Sequence, residues 1–426
     1  MTRIVRGSLI ALASRVAAAG LGLGVTLVTA RLGVTSQGTF ALYTAIESAL
    51  LLMGSGWAAV IARRISHFAE RPVGLVSATT LWSIAMGLLC TLLLIIGGRL
   101  HTVEFLMPLV WTAPLMLVAP NLIGVWLGSA RMTAMALQTL APVALTLLGI
   151  GIVFVRSGVP SLISVLWCWA LARASVGVFV LAMAWRERWL GAPDWRALIG
   201  QLRFSAIIGA TNLVALMNYK VDLFLVERLL GRADTGVYSI AVLIAELLWL
   251  ISSSVTQASY AGIGTADRSM AGKRTAKAVR LSLLTLLLIS PLIWAAAVVV
   301  LPRLLGPGYE HVPVLLAALL PGVVMYGAAS GLSAYFTNHA GRPMLPALLA
   351  GLSLVLTLVL SGLLIPAYGA LGAAVATTLS YIVAVCVSML MFAWMSGQHI
   401  SRLFVPDQSD LQAVKGLFRR LSGVRS

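Results

Sequence analysis

A succession of long apolar stretches constrains this chain more than any other feature of its sequence. A helix that crosses about 30 Å of hydrocarbon needs roughly 20 mostly apolar residues. The sequence contains twelve such stretches, and the chain is therefore predicted to cross a membrane many times. The predicted spans are 8–30, 38–61, 73–97, 105–128, 133–155, 160–185, 203–229, 236–262, 278–302, 311–337, 343–366 and 369–396.

The composition agrees with a membrane protein and excludes a soluble domain. Hydrophobic residues make up 60% of the 426 residues and charged residues 10%, whereas soluble domains are about half apolar and about 25% charged. The apolar stretches lack the alternating pattern of outer-membrane strands, so we predict an all-α bundle. The first stretch has full span length and contains Arg15, and it is predicted to be a span, not a cleaved signal peptide.

The distribution of positive residues predicts the orientation. With the N-terminus in the cytoplasm, cytoplasmic segments hold 21 Lys and Arg residues, the opposite side holds 6, and 3 remain inside spans. Positive residues near span ends are retained in the cytoplasm, so both termini are predicted to be cytoplasmic. The net charge of +17 is then mostly a topology signal with lipid-headgroup contact, and no nucleic-acid partner is expected.

Glycine-containing turns indicate an internal repeat. Residues 31–40 align with residues 229–238, which places Gly33 over Gly231 at an offset of 198, and Gly158 later lies over Gly369 at an offset of 211. Chance coincidence of turn glycines is the alternative. A repeat of six spans in the same orientation is a recurring transporter design.

This repeat predicts the organisation of the chain. The chain is predicted to consist of an N-terminal six-helix lobe (1–185), a cytoplasmic interfacial linker (186–203), a C-terminal six-helix lobe (204–396) and a basic amphipathic cytoplasmic tail (397–426).

Cations inside predicted spans are candidate substrate-binding residues. A charge at membrane depth costs at least about 2.5 kcal/mol, so it normally faces a cavity or a partner. Lys220, Arg15 and Arg173 are predicted to line a cationic cavity that binds an anionic substrate, since both residue types bind phosphate. The alternative for the arginines is snorkelling to a headgroup or a structural ion pair with Glu47 or Glu246.

Acids in the same spans are candidates for coupling or for charge pairing; they are Glu47, Asp222, Glu246 and Glu227. Helical geometry places Lys220 and Glu227 on one face, two turns apart, whereas Asp222 lies about 200° from Lys220. The face of Asp222 is shared with Asn218. We therefore expect Asp222 to lie outside the patch that contains Lys220.

The sequence contains no Walker A motif, no His-Glu-x-x-His motif and no cysteine pair at metal-ligand spacing. No cofactor or metal is expected. Transport is expected to be driven by a gradient, not by ATP hydrolysis.

Three segments carry a resemblance to a known family. They are 229–246, the run Ala-Gly-Arg-Pro at 340–343, and the run Ile-Pro-Ala-Tyr-Gly-Ala-Leu-Gly-Ala-Ala-Val-Ala-Thr at 365–377. They resemble the Wzx-type flippases of O-antigen and exopolysaccharide synthesis. These flippases belong to the MOP (multidrug/oligosaccharidyl-lipid/polysaccharide) exporter superfamily, together with the multidrug and toxin extrusion (MATE) exporters and the lipid II flippase.

The resemblance implies a V-shaped, MATE-like pair of lobes that alternate access to a central cationic cavity. It implies transport of undecaprenyl diphosphate-linked oligosaccharide across the bacterial inner membrane, with membrane lipids and polysaccharide polymerase or export machinery as partners. The lipid II flippase has extra C-terminal helices and an arginine-rich first lobe. This chain has twelve predicted spans, and Arg15 is the only arginine deep in its first span, which favours polysaccharide precursors over lipid II.

Two other functions are compatible with parts of the sequence. A MATE-like multidrug or cation antiporter would use Glu47, Asp222 and Glu246 to bind cations. A membrane-embedded glycan polymerase or ligase would typically carry a large periplasmic loop, whereas the longest predicted loops here are cytoplasmic. A transporter without enzymatic activity is therefore the predicted class.

Overall fold

The fold is all-helical. A computed structural model describes residues 2–53, 55–101, 104–264 and 268–405, and no strand occurs among them. The helices are α1 (Thr2–Arg31), α2 (Val34–Met53), α3 (Ser55–Ser66), α4 (Val73–His101), α5 (Met107–Met116), α6 (Val118–Gly128), α7 (Met132–Ser157), α8 (Leu162–Arg186), α9 (Trp195–Leu230), α10 (Arg232–Glu246), α11 (Leu248–Gly264), α12 (Arg268–Leu305), α13 (Val312–Ala328), α14 (Ser330–Ala334) and α15 (Met344–Ser396). Short 3₁₀ helices cover Glu104–Leu106 and Ile400–Leu403, and a π-helical turn covers Tyr335–His339.

The described helices account for the predicted number of spans. Ten helical segments are long and apolar enough to cross a membrane, and α2 with α3 adds one more when this bent pair is counted as a single span. The helix α15 contains 53 residues and is interrupted at Gly369, whose backbone is non-helical. A straight helix of that length would extend for about 80 Å, far more than one bilayer. Its two arms, 344–368 and 370–396, therefore bring the spans to twelve.

The chain divides into two compact units, Met1–Leu216 and Met217–Ser426. In the first unit, α1 packs on α7, α3 on α6, and α8 on both α5 and α7. In the second unit, α13 packs on α10, α12 and α15, and α11 packs on α12. Each unit buries apolar clusters of its own; Tyr43 and Leu166 belong to a cluster of the first unit, and Phe336 and Phe392 to a cluster of the second.

Backbone interruptions recur at the same places in the two units, as the predicted repeat requires. The second span of each unit is broken, between α2 and α3 and at Leu247 between α10 and α11; the fourth is broken at Leu117 and at Ala329. Gly158 (φ 76°, ψ −139°) and Gly369 (φ 61°, ψ −144°) share a conformation that is nearly restricted to glycine. Both residues lie between the fifth and sixth spans of their units.

The segment between the two sets of spans is shorter than the predicted linker. Helix α8 ends at Arg186 and α9 begins at Trp195, because the predicted linker residues 195–203 continue directly into the apolar helix that follows. The boundary between the compact units falls inside α9. Most of the predicted amphipathic tail, 406–426, lies outside the described residues.

Candidate functional site

The ion pair of Lys220 and Glu246 joins α9 to α10 in the second unit. Lys220 Nζ donates to both carboxylate oxygens of Glu246, at 3.1 and 3.2 Å. The two side chains remain 28% and 24% exposed, and neither has another hydrogen bond among the described residues. Glu246 is the last residue of α10 before the interruption at Leu247. Lys220 is thus a cation near the middle of its span that is held by one carboxylate alone.

A second ion pair, between Glu47 of α2 and Arg173 of α8, lies in the first unit. The Glu47 side chain is 2% exposed, and its Oε2 accepts a hydrogen bond from Trp169 Nε1 at 2.6 Å. The Arg173 guanidinium also stacks on the Trp169 ring, 3.8 Å from the ring centroid. This pair is therefore enclosed and held by a third side chain, which distinguishes it from the pair of Lys220 and Glu246.

Asp222 forms a separate buried polar cluster on another face of α9. Its Oδ2 accepts hydrogen bonds from Tyr238 Oη at 2.6 Å and from Thr377 Oγ1 at 3.1 Å, and its Oδ1 accepts one from the backbone N–H of Leu223 at 2.8 Å. Three donors satisfy a carboxylate without a cation in contact with it. The expected separation of Asp222 from Lys220 is observed, and the cluster links α9, α10 and the second arm of α15.

Glu227 and Arg15 lie apart from these groups. Glu227 pairs with Arg232 at the turn between α9 and α10, at 3.8 Å, and not with Lys220. Arg15 is exposed on α1. The structure therefore gives Glu47, Asp222 and Glu246 ion-pair or hydrogen-bond partners inside the units. Glu227 instead lies near the C-terminal end of α9.

Several residues of these clusters are not evident from the sequence. Trp169, Tyr238 and Thr377 contact the buried carboxylates, yet aromatic and hydroxyl residues are ordinary members of membrane helices and carry no distinguishing pattern. For Tyr238 alone, the position in the internal repeat gives a signal. Tyr238 aligns with Phe40 at the repeat offset of 198, and the added hydroxyl at that position is the group that donates to Asp222.

Comparison with solved structures identifies the fold, whereas the sequence itself matches no protein-family model and no curated protein. The fold is the one found in transporters of the MOP superfamily, and this confirms the predicted all-α, two-times-six-helix class. It also makes the chain a multi-pass integral membrane protein, as the predicted location in the inner (plasma) membrane requires.

Three of the similar structures illustrate the range of this fold. A multidrug resistance MATE family transporter in an inward-facing conformation has a TM-score of 0.73 and 15% identity over 90% of this chain and 94% of its own. The lipid II flippase MurJ, in an inward closed conformation, has a TM-score of 0.74 and 15% identity over 94% of this chain and 89% of its own. A MOP superfamily transporter from Pyrococcus furiosus, described as having a binding pocket of reverse polarity, has a TM-score of 0.68 and 16% identity over 94% and 96%.

Proposed function

We propose that this chain is a secondary transporter of the Wzx type, not an enzyme. It flips undecaprenyl diphosphate-linked oligosaccharide repeat units from the cytoplasmic to the periplasmic leaflet of the inner membrane by alternating access, for synthesis of O-antigen or another exopolysaccharide. The fold that it shares with a lipid II flippase supports this proposal. The observation that carries it is the partly exposed ion pair of Lys220 and Glu246.

The chemistry of this pair suits a diphosphate. A diphosphate that crosses hydrocarbon needs a cationic path, and a lysine ammonium binds phosphate as a point charge. The diphosphate carries more negative charge than the single carboxylate of Glu246, so it competes for Lys220 once it arrives. Binding then releases the Glu246 carboxylate, which takes up a proton or another cation. Glu246 is accordingly the coupling candidate that the contacts favour.

The remaining candidates receive narrower roles. Arg173 is engaged by Glu47 and Trp169, and Asp222 is satisfied by Tyr238, Thr377 and the backbone. Both clusters suit the bracing of helices within a unit. Arg15, on an exposed part of α1, stays a candidate for contact with the anionic substrate.

Deletion of the gene in its host tests the proposal. We expect undecaprenyl-linked repeat units to accumulate and surface polysaccharide to be lost, both restored by the wild-type gene on a plasmid. Unchanged levels of both would overturn the proposal.

A MATE-like antiporter of organic cations is the second candidate, because the similar structures include multidrug transporters and because a released Glu246 would bind a cation. In that case the deletion strain becomes more susceptible to cationic drugs while its polysaccharide is unchanged. Susceptibility and polysaccharide measured in the same strain separate the two functions.

A further inference from the structure

Four aromatic side chains of the second unit form a cluster that we call the aromatic box: Tyr219, Trp249, Tyr326 and Tyr381. They come from α9, α11, α13 and the second arm of α15. Their ring centroids are 4.5 Å apart for Tyr326 and Tyr381, 4.9 Å for Tyr219 and Trp249, and 5.9 Å for Trp249 and Tyr326. The rings are tilted, not parallel, to one another. Tyr219, Trp249 and Tyr326 line a cavity of about 240 Å³.

The rest of the lining contains apolar residues, such as Leu349 and Val385, and the hydroxyl groups of Ser252, Ser253, Ser330, Ser333 and Ser388. The Oγ atoms of Ser252 and Ser253 donate to the carbonyls of Trp249 and Leu250 in their own helix. Their lone pairs can still accept a hydrogen bond from a ligand. The cavity therefore combines aromatic and aliphatic surfaces with several hydrogen-bonding hydroxyls.

The lining carries no charged side chain among the described residues. A phosphate would find no counter-ion there, and burial of an unpaired charge is costly. The volume lies below the range of about 300–1,000 Å³ that is typical of pockets for drug-sized ligands. A neutral ligand of one ring fits these limits. A pyranose ring has an apolar C–H face that packs on an aromatic ring and an edge of hydroxyls that match the serines.

The aromatic box is next to the ion pair along the chain, although neither Lys220 nor Glu246 lines the cavity. Tyr219 is the residue before Lys220, and Trp249 follows Glu246 by three residues across the interruption at Leu247. A ligand with a phosphate at Lys220 would therefore place its next group close to the aromatic rings.

We propose that the aromatic box binds the sugar ring next to the diphosphate of the lipid-linked oligosaccharide. This inference rests on the proposed function, because it assigns a second part of the same substrate to the same unit. Lys220 recognises the anionic group of every such lipid, whereas the box responds only to lipids that carry a sugar.

The test compares two lipids on the purified full-length protein in nanodiscs: undecaprenyl diphosphate alone, and the same lipid carrying N-acetylglucosamine or galactose. We expect the wild type to bind a glycosylated lipid about tenfold more tightly than the bare lipid, a factor that corresponds to about 1.4 kcal/mol. Trp249→Leu should remove this difference and leave binding of the bare lipid unchanged. Trp249→Phe, which keeps a ring, should retain most of it.

Two further variants complete the design. Trp394→Leu removes an exposed tryptophan outside the box and should behave as the wild type. Lys220→Ala should weaken binding of all the lipids by the same factor. Equal binding of bare and glycosylated lipids by the wild type, or equal weakening of both by Trp249→Leu, overturns the role of the box and leaves the proposed function standing. Failure of the wild type to bind any of these lipids overturns the proposed function itself.

Discussion

At the scale of single residues, the carboxylates of Glu47, Asp222 and Glu246 differ in how many groups form ion pairs or hydrogen bonds with them. Glu47 is bound by Arg173 and Trp169, and Asp222 accepts three hydrogen bonds. Glu246 has Lys220 alone among the described residues. A group with several partners costs more to displace, so the pair of Lys220 and Glu246 is the one suited to exchange a partner during transport.

Replacement of Lys220 should separate transport from stability. Lys220→Ala is expected to abolish export of polysaccharide in the deletion strain while the protein stays in the membrane, since the Glu246 carboxylate that it leaves unpaired is partly exposed and can be neutralised by a proton. Lys220→Arg keeps the charge and should retain some export. Lys273→Ala, which removes an exposed lysine of α12, is the matched control and should export normally. Full export by Lys220→Ala would show that this lysine does not bind substrate.

The pair of Glu47 and Arg173 should show the opposite behaviour. Arg173→Met leaves the Glu47 carboxylate buried without its cation and is expected to destabilise the protein by about 3–5 kcal/mol. The double variant Glu47→Leu with Arg173→Met should recover most of this loss, because replacement of a whole buried pair by apolar groups is often neutral. The midpoint of thermal unfolding in detergent measures both effects. Single and double variants as stable as the wild type would contradict a bracing role.

The sequence reveals which charges lie at membrane depth but not which partners they have. Hydropathy alone places Lys220, Asp222 and Glu246 inside spans, and helical periodicity separates Asp222 from Lys220. The partners come from distant parts of the chain: Thr377 is 155 residues from Asp222, and Trp169 is 122 residues from Glu47. Such contacts depend on helix packing, which no local pattern in one sequence encodes.

At the scale of secondary-structure elements, the interruption of α15 shows what local sequence can predict. The spans 343–366 and 369–396 follow from apolar length, and Gly369 follows from its alignment with Gly158. The helical geometry nevertheless continues on both sides of Gly369, so that only this residue departs from it. A positive φ with an extended ψ is the conformation that a glycine provides and other residues avoid.

Substitution of this glycine should therefore be costly. Gly369→Ala is expected to lower stability by about 1–3 kcal/mol, because alanine must adopt a strained backbone. Gly158→Ala should cause a similar loss in the first unit. Gly362→Ala is the matched control: Gly362 lies in the same helix, has no positive φ, and an added Cβ meets no atom within 4 Å. Melting temperatures of the three purified variants measure the effect, and equal values for Gly369→Ala and Gly362→Ala would refute it.

At the scale of the whole molecule, the duplication explains why two halves with dissimilar polar residues have the same architecture. The breaks in the second and fourth spans and the two glycines between the fifth and sixth recur, whereas the charged clusters do not. Glu47 and Glu246 lie 199 residues apart, one more than the offset of Gly33 and Gly231. Their cations come from α8 in one unit and from α9 in the other. The backbone plan is thus repeated while the chemistry has diverged.

The predicted orientation with both termini in the cytoplasm follows from the excess of positive residues on one side, and single cysteines can test it. The natural cysteines Cys90, Cys168 and Cys386 are first replaced by alanine. Val159→Cys then reports the loop after the fifth span, where Val159 is 76% exposed. Ala192→Cys reports the exposed loop between α8 and α9.

We expect a membrane-impermeant maleimide to label Val159→Cys in cells with an intact inner membrane and to label Ala192→Cys only after that membrane is permeabilised. Both substitutions are small and lie outside the helices, so neither should disturb folding. The reverse labelling pattern would place the positively charged segments in the periplasm. The chain would then have the opposite orientation relative to the direction of the proposed transport. Labelling of both cysteines in intact cells would place both loops on the same side of the membrane. An even number of spans would then separate residues 159 and 192, which contradicts the six predicted spans of the first unit.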